Sequence, residues 1–179
     1  LSELLLSDFH DTLFKGNIFK ELVKVLLEKS DYLVIPYGYE NLPANLKKRL
    51  SGAPSETALR IRSSPDLLIY DEQYGDVSLV EVKMSSYPSP RFKTALIETY
   101  KQFWNDAVLV MVLPFEDVFY AQEIVKLGIK EQYDPRTDFR KIQEIFRRIS
   151  DDDLKYYGTV ARNLINAMKS KSAEAKHQS

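Results

Sequence analysis

The sequence predicts an α/β fold in which helices flank a mixed β-sheet, and three observations carry that prediction. Two short apolar runs, Pro65–Tyr70 and Ser78–Lys83, flank the polar, glycine-containing stretch Asp71–Asp76, which is short enough to join antiparallel neighbours. Ala107–Leu113 is apolar without interruption, the pattern of a strand covered on both faces and therefore central in a sheet. Helical periodicity appears on either side of these runs, at 17–29 and at about 91–104.

In chain order, residues 1–15 open with Leu1, Leu4, Leu5, Leu6 and Phe9 and form either a short amphipathic helix or an irregular cover. The helix at 17–29 takes Asn17 as its cap and Ile18, Leu22, Val25 and Leu26 as its apolar stripe. Residues 31–39 read as the first strand, and Pro36 assigns it to an edge, a bulge or an early break. Asn45–Leu50 suits a short helix, and Ser51–Ser55 a loop. Arg60 and Arg62 then lead into Pro65-Asp66, either as phosphate-binding cations or as solvated charges before a strand.

In the helix at 91–104, Leu96, Tyr100, Phe103 and Trp104 share a packed face, while Lys93, Lys101 and Gln102 are candidates for the substrate side. Val118–Ala121 adds a last strand, followed by a short helix that ends at Gly128. Asp138–Ile149 has the apolar spacing of an amphipathic helix, with Phe139, Ile142, Ile145, Phe146 and Ile149 on one side, and a second helix covers about 159–169. Three uses stay open for these last elements: closing the sheet, forming a dimer surface, or following DNA backbone. The expected organisation is one domain, with a core over 17–127, a helical extension over 128–170 and a flexible tail over 171–179.

Composition narrows the chemistry. With 44% hydrophobic residues and 28% charged ones, the 179-residue chain can bury a core of ordinary size. It has no cysteine and 2 histidines, which excludes disulfides, thiolate zinc sites and cysteine nucleophiles. No stretch is apolar enough to span a membrane, no secretion-signal pattern opens the chain, and no glycine-rich phosphate loop is present, so an intracellular protein without a nucleotide cofactor is expected. The formal charge of −1 excludes a general nucleic-acid coat. It does not exclude an acidic centre within a locally basic surface, since the two cancel in the sum.

The informative feature is where the charges fall. Asp66 enters the first strand of the hairpin, and Glu81 and Lys83 interrupt the second on a single face, since strand side chains alternate. If the strands pair, Asp66 approaches Glu81. Two carboxylates beside a lysine, with neither thiolate nor imidazole nearby, make a hard-oxygen centre suited to Mg²⁺, with Mn²⁺ as a substitute. The bland alternative is an edge hairpin with ordinary solvated charges.

Pro65-Asp66 followed by Glu81-Val82-Lys83, on two hydrophobic strands joined by a turn, resembles the signature of the PD-(D/E)XK nuclease superfamily. The resemblance implies a restriction-endonuclease-like core of a helix, a three-stranded meander, a second helix and a further strand. It implies Mg²⁺-dependent hydrolysis of DNA phosphodiesters, with metal bound by Asp66, Glu81 and the Val82 carbonyl and the attacking water served by Lys83. In some branches, Holliday-junction resolvases among them, the first helix adds an acidic residue. Glu21 is the candidate here, against the alternative of a flanking glutamate paired with Lys24 or Lys20. RecB-like members carry Gln-x-x-x-Tyr on the following helix, and the order Tyr100…Gln102 departs from that pattern. Enzymes that cut two strands symmetrically need two centres, so a homodimer is expected for such a substrate, with 138–149 as the first candidate surface.

Overall fold

The computed structural model describes the backbone of residues 2–85, 92–115, 118–128 and 130–177, with side chains described from residue 16 to 168 apart from 92–94 and 96. A long helix α1 (Ser2–Lys29) is followed by strand β1 (Leu33–Pro36), helices α2 (Ala44–Ser51) and α3 (Glu56–Arg62), and the hairpin β2 (Leu67–Asp71) and β3 (Asp76–Met84). A two-residue strand β4 (Phe92–Lys93) leads into α4 (Thr94–Phe103), then β5 (Val108–Leu113) and β6 (Val118–Glu123). Short elements β7 (Gln132–Tyr133), α5 (Pro135–Asp138) and β8 (Arg140–Lys141) precede α6 (Asp151–His177).

Among the described residues, six strands form one sheet in the order β1-β2-β3-β5-β6-β8. The first three make an antiparallel meander, β3 and β5 are parallel, and β6 and β8 return antiparallel. This is the expected mixed sheet flanked by helices. Its order of helix, meander, α4 and parallel strand is that of the restriction-endonuclease-like core, with α2 and α3 inserted between β1 and β2. Pro36 lies on the edge strand, where a missing N–H is tolerated. β5 is buried along its whole length, as its unbroken apolar sequence requires.

Two apolar clusters lie on opposite faces of the sheet. Phe19, Val23, Leu26 and Leu27 of α1 pack with Ala161 and Ile165 of α6 against Val80, Val82 and Val110. Ile97, Tyr100 and Trp104 pack on the other face against Leu109, Met111 and Tyr120. The hairpin turn is closed by Gly75, whose φ of 71° favours glycine, and by an Asx turn from the Gln73 N–H to Asp71 Oδ1 at 3.0 Å. Among the described residues, no helix is long and apolar enough to cross a membrane.

Several local expectations are corrected. Asn17 is not a cap, because α1 already runs through it from Ser2. The buried stripe of α1 centres on Phe19, Val23 and Leu26, leaving Val25 exposed. Arg60 and Arg62 belong to a helix capped by Ser55 rather than to the lead-in of a strand. The segment 138–149 is not an α-helix. β6 presents a free edge, and Arg140 and Lys141 pair with Ala121 and Tyr120 on it before the chain folds into a 3₁₀ turn at Ile142–Glu144. Phe139, Ile142, Phe146 and Ile149 are buried within the chain, so they are unavailable as a dimer face. The last helix is much longer than 159–169. It starts at Asp151, where the Ser150 hydroxyl accepts the Asp153 N–H at 3.1 Å, and continues through the expected tail to His177.

Candidate active site

The β2–β3 register pairs Leu67 with Val80, so the next residues outward on the two strands are Asp66 and Glu81. Leu67 and Val80 lie in the α1-side core, and alternation turns Asp66 and Glu81 to the α4 side. Both carboxylates are buried, with Asp66 7% and Glu81 3% exposed. Lys83, two residues on, pairs with Glu81 Oε1 while its side chain remains 40% exposed. The structure therefore assembles Asp66, Glu81 and Lys83 at one end of the hairpin. β3 is not at a sheet edge, so the bland hairpin reading fails.

Backbone geometry fixes the aspartate. The Val82 N–H donates to Asp66 Oδ2 at 2.8 Å, beyond the point where the β2 ladder ends. In an extended strand the N–H and C=O of one residue point to the same edge, so the Val82 carbonyl also lies on the Asp66 side. The N–H groups of Tyr37 and Gly38 donate to the Asp66 main-chain carbonyl at 2.9 and 3.2 Å.

Two contributors were not identified from the sequence. Lys20 of α1 places Nζ 2.7 Å from Asp66 Oδ1 and also pairs with Glu40. From α4, the Tyr100 hydroxyl donates to the Glu81 carboxylate. The Tyr100 signal was present: a hydroxyl on a buried helical stripe needs a polar partner. Lys20 had no such signal, because the site-facing flank of α1 depends on a one-residue rotation of its stripe.

Glu21 is not brought to this cluster. Its side chain is 62% exposed and pairs with Lys24 at 2.7 Å, the flanking arrangement weighed above. It borders a groove with Tyr157 and Leu164 of α6. Arg62 donates to the carbonyls of Leu50 and Ala53, the latter at 2.8 Å, and so braces α2 instead of facing substrate. Lys101 donates to the Leu127 carbonyl, while Gln102 is exposed. Arg60 stands over the Trp104 ring at 5.1 Å. The side chain of Lys93 lies outside the described residues.

The electrostatics are those of charges taken out of water. Burial pushes the Glu81 carboxyl up to about 7, and Asp66 adds to the shift against the opposition of Lys83 and Tyr100. Burial also raises Asp66, although Lys20, the Val82 N–H and Lys83 pull the other way. For Lys83, burial favours the neutral amine but Glu81 and Asp66 outweigh it, and the pKa is raised. Tyr100 is raised by burial and by the Glu81 charge, so its hydroxyl keeps the proton it donates. Among the described residues, no three Asp, Glu, His or Cys side chains form a metal-binding group. The oxygens that could hold a divalent cation are the Asp66 and Glu81 carboxylates and the Val82 carbonyl. All are hard oxygens, and added positive charge would relieve the cost of ionising them together.

No family model and no curated protein matches the chain. Among solved structures it is similar to Hjc, a Holliday junction resolvase from the archaeal hyperthermophile Archaeoglobus fulgidus, with a TM-score of 0.47 and 16% identity over 73% of this chain and 94% of that one.

Proposed function

We propose that this protein is a divalent-cation-dependent deoxyribonuclease that hydrolyses DNA phosphodiesters at Asp66, Glu81 and Lys83. The observation that carries this reading is the pair of buried carboxylates opposed across β2 and β3, with Lys83 on the same face. Mg²⁺ or Mn²⁺ held by Asp66, Glu81 and the Val82 carbonyl would polarise a phosphate oxygen and acidify a bound water. Lys83, the most exposed of the three, orients the attacking water and balances charge developing on the phosphate. Tyr100 holds the Glu81 carboxylate in one orientation, and the Val82 N–H does the same for Asp66. DNA is the partner, and a homodimer supplies the second centre if two strands are cut symmetrically.

One observation favours a second reading, a catalytically silent nuclease fold that serves DNA binding or assembly. The Lys20 ammonium already occupies Asp66 Oδ1, where a cation would bind. Nicking and cleavage of supercoiled plasmid, linear duplex, flap, single strand and four-way junction with Mg²⁺ or Mn²⁺ separates the two. Nuclease function requires cation-dependent products that disappear in Asp66→Ala and Lys83→Ala. Absence of products from a folded wild type sinks it. Cation binding that appears only in Lys20→Ala would establish the silent reading.

A further inference from the structure

Beside the carboxylates lies a cleft of about 360 Å³ lined by Tyr37, Leu42, Arg60, Ile61, Ser64 and Trp104. It is tied to the proposed centre from two sides. Tyr37 follows β1 directly, and its N–H holds the Asp66 carbonyl. Trp104 lies one helical turn, about 6 Å, beyond Tyr100, whose hydroxyl reaches Glu81.

The cleft walls combine the rings of Tyr37 and Trp104 with the aliphatic side chains of Leu42 and Ile61; Trp104 is only 9% exposed, so Tyr37 supplies the open aromatic surface. Tyr37 meets Trp104 edge-on at 6.2 Å and 84°, and remains 41% exposed. The indole N–H is directed at Ser63 Oγ, 3.4 Å away, and the Ser64 hydroxyl donates to the Ile61 carbonyl at 2.8 Å. Arg60, itself exposed, lays its guanidinium over the indole and leaves a positive charge at the rim. An exposed tyrosine ring beside an exposed guanidinium suits a planar ring attached to an anion. A nucleobase carrying its phosphate has that chemistry, and stacking of this kind is tolerant of base identity. A base within a duplex is covered by its neighbours and its pair, so the one that enters must be unpaired.

We propose that the Tyr37–Arg60–Trp104 cleft is a subsite for an unpaired nucleobase of the DNA strand whose phosphate lies at Asp66 and Glu81. This rests on the nuclease reading and adds a substrate class, DNA with a single-stranded or splayed segment at the cleavage point.

The test is binding in EDTA, where no cleavage intervenes. A labelled single-stranded oligothymidine and a duplex of equal length are titrated with wild type, Tyr37→Ala, Tyr37→Phe and Arg60→Ala, read by anisotropy. Trp104, the only tryptophan, supplies a second signal at the cleft. Single-strand affinity should fall about tenfold in Tyr37→Ala, recover in Tyr37→Phe and weaken in Arg60→Ala, while duplex affinity stays unchanged. Tryptophan fluorescence should respond to single strand alone. Equal losses for single strand and duplex, or no loss in a folded Tyr37→Ala protein, would overturn the inference. Retained single-strand selectivity in a protein that cleaves nothing would instead count against the nuclease reading and leave the subsite standing.

Discussion

The two faces of β3 are chemically opposite, although Val80 and Val82 on one and Glu81 on the other are all buried. Val80 and Val82 pack in one apolar cluster with Phe19, Val23 and Leu26 of α1, where burial of these side chains lowers the free energy of the fold. One residue over, Glu81 is buried as deeply but brings a carboxylate beside that of Asp66. The first face stabilises the scaffold. The second draws on that stability to hold charges where burial opposes ionisation, an arrangement that folding alone does not require and that the proposed nuclease centre would use.

Substitutions on the two faces should therefore separate activity from stability. The largest expected effect is on cleavage: Asp66→Ala and Glu81→Ala should lower plasmid nicking by roughly 10²–10³-fold or more, while Leu26→Ala leaves the rate per folded molecule intact. A similar rate loss in Leu26→Ala would mean that the faces are not independent. Next comes stability in urea, where Leu26→Ala should cost about 2–5 kcal/mol by leaving a cavity. In metal-free buffer at neutral pH, Glu81→Gln should cost nothing or raise the midpoint, and a clear loss would show that the charged face stabilises the fold after all.

The pH dependence follows from the same contrast. The folded Glu81 carboxyl titrates near 7, above its ordinary 4.5. Below pH 4.5 it is protonated in both states, and its full stabilising contribution is present. Between 4.5 and about 7 the unfolded chain loses the proton first, so stability falls with rising pH through this window. Thermal melts in chelator should show that fall in wild type and a flatter profile in Glu81→Gln; parallel profiles would remove Glu81 as its source. Asp66→Asn is a blunter probe, since it also deprives Lys20 of a partner. The smallest effect is expected far from both faces: Ser150→Ala should cost about 1 kcal/mol through loss of the α6 cap, with no change in the pH profile.

The hairpin, its alternation and the central strand are legible in the chain's own pattern, because they depend on local features that any covered sheet must satisfy. The short turn limits pairing to one register, and that register sets Asp66 opposite Glu81. The apolar run in β5 had nowhere to go but the middle of the sheet. Which side of α1 meets the site depends instead on packing between elements. A single residue turns a helix by about 100°, so the stripe centred on Phe19, Val23 and Leu26 presents Lys20 rather than Glu21 to Asp66. Such packing also decided the fate of Asp138–Ile149, whose apolar spacing is helical but whose first residues are taken by the free edge of β6. Arg62 and Lys101 found main-chain carbonyls of other segments, at Ala53 and Leu127, which their own helical periodicity does not announce. In each case the deciding partner lies on another element, and periodicity within one segment carries no information about it.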